Sequence, residues 1–381
     1  MICNPQGPVI YSPQGPVICN PQGSVISNPQ GSAIRTPDRD WLSQVLGVSI
    51  TDLQARVIGE SRGFLSSTWQ LSLRTDPPGR LPATLVLKSE SANPLFQALG
   101  RERRSFEREI RFYRELASEV QAHLPRIHGT GSGEDCWLLM EDLSHLRAGD
   151  QVRGLRQQEV RAVVRRMAAI HARFWGEASL QELEWLPAHR YWFSEPDLSL
   201  LEAFLHEYGL RIGPQMAQLL PEVMAQLPLI DAEIACRPFT LVHGDLRADN
   251  LMFGGDLDAP EASILDWQTA CRSLGAIDLA YLLGGSEPSA ERQGHLDELL
   301  YLWHGELLAH GVADYPLKDA RRDLQLAALR CLAAAIRLYA TLHHSSTTVR
   351  SALFKDEAIE RHCAAVLELQ AWQALPRALP F

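Results

Sequence analysis

Asp245 and Asn250 lie five residues apart in the polar loop of Leu241-Val242-His243-Gly244-Asp245-Leu246-Arg247-Ala248-Asp249-Asn250-Leu251-Met252-Phe253. A second aspartate, Asp266, follows sixteen residues after Asn250, in Ile264-Leu265-Asp266-Trp267-Gln268. Two carboxylates and an amide in this order suit phosphoryl transfer. One carboxylate can face an acceptor hydroxyl, while the amide oxygen and the second carboxylate are hard ligands suited to magnesium.

Such groups work only if rigid elements hold them. Upstream, the spacing predicts a small sheet. Asp40–Leu46 has the pattern of a short capped helix. The glycine- and serine-rich turn 59–67 then separates two strands, and Thr68–Leu73 alternates with a period of two. Asp76-Pro77-Pro78-Gly79 is a turn, and Ala83–Lys88 is a strand ending on a lysine. Residues 101–120 have helical spacing, with Phe106, Ile110, Tyr113, Leu116 and Val120 as the apolar stripe and Glu109 beside it. Pro125–Thr130 and Cys136–Met140 read as further strands. Beyond about residue 155 the chain is mainly helical, with expected helices near 160–175, 199–208, 213–235, 291–310, 319–343 and 352–374. The expected fold class is α+β, with a small antiparallel sheet lobe and a larger helical lobe around a cleft.

The N-terminus is different in kind. Pro-Gln-Gly recurs at 5–7, 13–15, 21–23 and 29–31, a period of eight. A proline and a glycine in every unit exclude a helix, and one apolar pair per unit buries too little for a solenoid, so disorder is expected over 1–36. A native start near residue 36 would explain the repeat as translated upstream DNA. The remaining organisation is read as 40–143 for nucleotide binding and 144–381 for catalysis and acceptor binding.

A net charge of −10 argues against a nucleic-acid partner. The seven cysteines form no C-x-x-C pair and several sit in apolar runs, which suits reduced thiols in the cytoplasm. No apolar run reaches membrane-spanning length and no secretory signal is evident, so no membrane partner is expected. Oligomeric state has no signature in the sequence.

Taken together, Gly63-Phe64-Leu65-Ser66-Ser67, Phe106–Tyr113, Leu139-Met140-Glu141-Asp142-Leu143, His171-Ala172-Arg173-Phe174-Trp175, the HGDLRADN loop, Ile264–Gln268 and Asp278–Leu283 are motifs in a recognisable order. Over residues 40 to 375 the chain resembles the aminoglycoside phosphotransferase and choline kinase superfamily, which has a protein-kinase-like fold. It is most similar there to the ecdysteroid-kinase-like group. The resemblance implies an ATP- and magnesium-dependent kinase acting on a hydroxyl of a small molecule, with GTP as the other candidate donor. Acceptors of aminoglycoside, steroid-like, choline-like and sugar-like type all fit it.

The resemblance also implies roles. Asp245 is the expected base, and Asn250 and Asp266 the metal ligands. Lys88 would contact the α and β phosphates and Glu109 would hold Lys88, with Glu102 and Glu107 as rival partners on the same helix. Gly63, Ser66 and Ser67 of the turn 59–67 would cover the phosphates, although the turn departs from a strict G-x-G-x-x-G. The backbone of Met140, Glu141 and Leu143 would receive the adenine. Asp278 is expected to brace the loop through its N–H groups, and His171 and His243 to be structural. Asp249 reads as a surface charge. His343, His344, Glu360 and His362 read as a solvated helix end, since their spacing suits a metal poorly. Trp175, Trp185, Tyr191, Trp192, Phe193 and Trp303 could line the acceptor pocket, but aromatic residues at helical spacing are more often core. Two rival classes remain open at this stage, an inactive kinase-like nucleotide-binding module and a metal-dependent hydrolase using His243, Asp245 and Asp266.

Overall fold

A computed structural model describes residues 37–59, 66–91, 93–120, 122–133, 136–188, 201–343 and 349–376, together with the backbone of a short antiparallel pair, Ile26–Ser27 with Ala33–Ile34. The rest of the octapeptide repeat and Gly63 lie outside the described residues, as do Tyr191, Trp192, Phe193 and His344.

Helix α1 (Arg39–Leu46) opens the fold. The Asp38 carboxylate accepts from Trp41 N at 2.8 Å and Gly47 closes the helix in the left-handed region, at φ 63°. Five strands follow, β1 (Ser49–Ile58), β2 (Ser66–Asp76), β3 (Thr84–Glu90), β4 (Ile127–Gly131) and β5 (Trp137–Glu141). They form one antiparallel sheet in the order β1-β2-β3-β5-β4. Strand alternation divides the sheet's side chains. Leu71, Leu85, Leu87 and Leu139 join Leu42, Trp69 and Trp137 in one core, while Leu138 and Met140 pack on Ile110 across the other face. Lys88 pairs in register with Leu138, so it shares that second face. It lies inside β3 and not at its end, because the strand continues to Glu90.

The expected 101–120 helix is broken. Helix α2 (Pro94–Glu102) ends before Arg104, which takes a left-handed φ of 52°, and α3 (Ser105–Glu115) starts anew. The break lets α3 present Phe106, Glu109, Ile110 and Phe112 to the interior on one stripe.

The helical lobe comprises α4 (Gln157–Arg173), α5 (Ser179–Glu182), α6 (Leu201–Ile212), α7 (Pro214–Ala235), α8 (Ala276–Ser286), α9 (Ser289–Arg292), α10 (Leu296–Ala309), α11 (Leu317–His343) and α12 (Val349–Glu368). One continuous core joins all of them but α9. Set among them are the two-residue strand Arg147–Ala148 (β6) and four further short strands, β7 (Thr240–Val242), β8 (Leu251–Asp256), β9 (Ala259–Ile264) and β10 (Cys271–Ser273). Strands β8 and β9 form a hairpin with β6 on its edge, and β7 pairs with β10. Among the described residues no helix is long and apolar enough to cross a membrane.

Candidate active site

Strand β7 is wholly buried and delivers the chain into the loop His243–Asn250. Asp278, in the first turn of α8, fixes the loop's start. Its Oδ2 accepts from His243 N at 2.8 Å and its Oδ1 from Gly244 N at 2.9 Å. The His171 ring approaches Asp278 Oδ2 at 3.2 Å through Nε2 and accepts from Trp303 Nε1 at 3.1 Å through Nδ1. Those partners assign one neutral tautomer, with the proton on Nε2. Gly244 has φ 81°, and a Cβ there would lie 2.6 Å from Thr269 O, so the position requires glycine twice over.

His243 is committed at both ring nitrogens. Nδ1 accepts from Asp245 N at 3.2 Å and Nε2 donates to Leu265 O at 2.8 Å. Neither nitrogen is left to ligate a metal, which removes the geometry that a hydrolase built on His243 would need. Among the described residues no group of three or more His, Cys, Asp or Glu side chains gathers to hold a metal.

Asp245 takes its side-chain hydrogen bonds on one oxygen and is partly exposed. Its Oδ2 accepts from Asn250 Nδ2 at 3.0 Å and Arg247 Nε at 3.1 Å. Asn250 Nδ2 also donates to Asp245 O at 2.9 Å. With its N–H groups spent on the loop, Asn250 offers a cation its amide oxygen. In the hairpin Leu251 pairs with Ile264, and Leu265 N donates to Asn250 O at 2.9 Å. The register therefore brings Asn250 and Asp266 to the same open end. Asp266 leaves β9 with a left-handed φ of 66°, a conformation aspartate tolerates at modest cost.

That turn aims the Asp266 carboxylate at the sheet lobe. Lys88 Nζ lies 2.8 Å from Asp266 Oδ1 and 2.8 and 3.0 Å from the two Glu109 oxygens. Burial opposes the Lys88 charge, but Asp266 and Glu109 together outweigh it and the ammonium is held above its ordinary range. Burial raises the Glu109 carboxyl to about 7 despite Lys88, because the side chain is only 1% exposed. Burial likewise opposes the Asp266 charge, but Lys88 wins there and the carboxyl sits below its usual range. Glu109 is thus the acid beside Lys88. Glu107 pairs instead with Arg104 near the surface, and Glu102 is exposed.

Helix α3 is tied to the Asp266 segment at two further points. Phe112 stacks on Trp267 with ring centroids 3.9 Å apart and planes 8° from parallel, and Arg108 Nη1 donates to Gln268 O at 2.8 Å. The stack was not legible from the motifs, since both rings have ordinary core spacing.

The other expected residues fall as follows. Ser66 and Ser67 already belong to β2, opposite Glu90 and Ser89. Met140 and Glu141 lie at the end of β5, with Glu141 N donating to Arg126 O at 2.8 Å, and Leu143 follows in the connection to the helical lobe. Asp249 is not a surface charge. Its side chain is 3% exposed and accepts from Arg247 Nη1, Gln151 N and Arg350 Nη2. His362 is no solvated end either, being buried against Gly284 and Tyr281, with its pKa lowered to about 3 by burial. Trp185 donates to Glu115 Oε2 and Trp303 to His171, so both are buried parts of the scaffold, and Trp175 packs against Tyr315.

The family model described as the phosphotransferase enzyme family matches residues 62–306. Solved structures with a similar fold include a Ralstonia eutropha JMP134 protein assigned as an aminoglycoside phosphotransferase, 16% identical, covering 87% of this chain and 97% of that one at a TM-score of 0.52. A Plasmodium vivax ethanolamine kinase is 14% identical and covers 81% of this chain and 82% of its own at a TM-score of 0.50. At these identities the likeness is one of fold. No curated protein matches the sequence at a significant level.

Proposed function

The chain belongs to the phosphotransferase enzyme family, and on that premise we propose that it is a small-molecule kinase moving the γ-phosphoryl group of ATP to a hydroxyl. One observation carries this reading. Lys88 of the sheet lobe bridges Glu109 of the same lobe and Asp266 of the helical lobe at 2.8–3.0 Å, and the hairpin register brings Asp266 to the end of the loop holding Asp245 and Asn250. Phosphoryl transfer has a loose transition state, so an enzyme contributes mainly alignment and charge neutralisation.

Each residue then has a defined task. Asp245, anchored through Oδ2, directs Oδ1 at the acceptor hydroxyl and aligns or accepts its proton. The amide oxygen of Asn250 and the carboxylate of Asp266 are a hard donor pair of the kind that binds magnesium together with substrate phosphates. Bound there, magnesium would neutralise charge on those phosphates. Lys88, steadied by Glu109, reaches toward the α and β phosphates. Gly63 and, at the start of β2, Ser66 and Ser67 would contact them, and the backbone of Met140, Glu141 and Leu143 would receive the adenine. Residues 40–143 form the nucleotide-binding unit and 144–381 the catalytic and acceptor-binding unit. HGDLRADN and Asp266-Trp267-Gln268 further support a place near the ecdysteroid-kinase-like group, and the cysteine pattern a cytoplasmic site of action.

The test is an ATP-consumption screen across aminoglycosides, sterols, amino alcohols and sugars, with Asp245→Asn as blank. Magnesium-dependent turnover with one acceptor class, lost in Asp245→Asn and Asp266→Ala, is expected. Magnesium-dependent ATP binding without turnover on any acceptor would overturn the reading in favour of an inactive binding module.

A further inference from the structure

Arg247 has no part in the roles assigned so far, yet it is the only cation touching Asp245 among the described contacts. Its side chain is 10% exposed, and its guanidinium lies over the Phe354 ring of α12, 5.4 Å from the centroid. Nε donates to Asp245 Oδ2 at 3.1 Å and Nη1 to Asp249 Oδ2 at 3.2 Å. Asp249 is held in turn by Arg350, in the first turn of α12, whose Nη2 donates to Asp249 Oδ1 at 3.0 Å. The same guanidinium donates from Nη1 to Asp150 Oδ2 at 3.0 Å. Asp150 caps its own turn by accepting from Val152 N and Arg153 N. The charges alternate along an unbroken line, Asp245, Arg247, Asp249, Arg350, Asp150. Every link is a direct charge-assisted hydrogen bond between side chains.

An arginine beside a catalytic carboxylate is free to swing unless something fixes it. Here the planar fork of Arg247 is clamped between two carboxylates and a ring face, which restricts it to one orientation. Resting on the functional reading above, we propose that Arg350, Asp249 and Arg247 are positioning residues that hold the Asp245 carboxylate in its reactive orientation. Helix α12, about a hundred residues downstream in sequence, is thereby part of the catalytic machinery. Whatever engages Arg350 thereby acts on Asp245 through two side chains, Asp249 and Arg247.

Two measurements on the full chain decide the point. The first needs no substrate. The Asp245 13Cγ resonance, assigned by its loss in Asp245→Asn, is expected to move or broaden in Arg350→Gln. It should stay in place in Arg211→Gln, which removes the Arg211 ion pairs with Asp356 and Glu360 of the same helix without touching the line. The second is magnesium-dependent ATP hydrolysis with water as the acceptor hydroxyl. Displacing a reacting group by a fraction of an ångström to 1 Å lowers turnover by about ten- to a hundredfold. Arg350→Gln should show such a loss in kcat with KM for ATP within about twofold, Arg350→Lys should recover part of it, and Arg211→Gln should leave kcat unchanged. The double variant Asp249→Asn with Arg350→Gln should be no worse than the poorer single variant, because both break one line. An unmoved resonance in Arg350→Gln, an equal effect of Arg211→Gln, or losses that multiply in the double variant would overturn the proposal. Wild-type turnover unaffected by Asp245→Asn would defeat the functional reading instead, and the resonance comparison still decides the line of contacts.

Discussion

Glu109→Gln should make the protein more stable and less active at the same time. The Glu109 carboxyl rises from an ordinary 4.5 to about 7, chiefly through burial. A folded-state pKa above the unfolded one means that the folded chain binds this proton more tightly. Stability is therefore greatest where Glu109 is protonated and declines as pH rises from about 4.5 to about 7. Above that window the ionised group reduces the unfolding free energy, by on the order of 3 kcal/mol at roughly 1.4 kcal/mol per tenfold change in proton affinity. Glutamine mimics the neutral acid. Thermal unfolding of Glu109→Gln should thus occur at a higher temperature than wild type at pH 8, and the difference should shrink toward zero at pH 5, where wild-type Glu109 is already neutral. Lys88 keeps Asp266 at 2.8 Å in the variant, so no charge is stranded. It loses the second carboxylate that fixes its position between the two lobes, and kcat/KM for ATP should fall by about a hundredfold. The wild-type acid limb of kcat/KM with a midpoint near 7 should disappear as well, because that ratio reports groups of the free enzyme. A variant less stable at pH 8 than wild type, or one with unchanged kcat/KM, would refute this account of the buried triad.

Other consequences follow from the same contacts. Gly244→Ala forces a side chain into a positive φ and against Thr269 O, and should cost a few kcal/mol in chemical denaturation while lowering kcat. Trp267→Leu removes the stack under Phe112 and should reduce unfolding free energy by roughly 3 kcal/mol and weaken ATP binding, both measurable by ATP-dependent thermal shift. Asp278→Ala strands the N–H groups of His243 and Gly244, and should lower both unfolding free energy by about 2–3 kcal/mol and kcat. His362, depressed to about 3, stays neutral in the folded chain. The unfolded chain takes up its proton first, so stability should fall as pH drops from about 6.5 toward 3, and His362→Gln should flatten that slope in urea titrations.

Much of this arrangement was legible in the residues. Period-two strands and the spacing of Phe106, Ile110 and Tyr113 were enough to foresee an antiparallel sheet lobe with a strand bearing Lys88 and a helix bearing Glu109. What eluded the sequence has a common cause, which is tertiary context. Arg104 breaks the expected helix in a left-handed conformation that no glycine or proline announces. Asp249 resembles a solvent-facing acid until Arg350, a hundred and one positions away, is seen to cover it. His362 sits in a polar stretch yet is buried because Gly284 leaves room for its ring. Glu107 and Glu109 are equivalent by composition, and only the facing of α3 separates the buried partner of Lys88 from the surface partner of Arg104.

The role proposed for Asp245 is to align a hydroxyl for phosphoryl transfer. Its most direct test is 31P NMR of ATP, magnesium and the acceptor found by screening, followed with wild type and Asp245→Asn. A phosphomonoester signal growing in step with ADP is expected in wild type, with at least a hundredfold slower growth in the variant. Equal rates of phosphomonoester formation in the two proteins would contradict it.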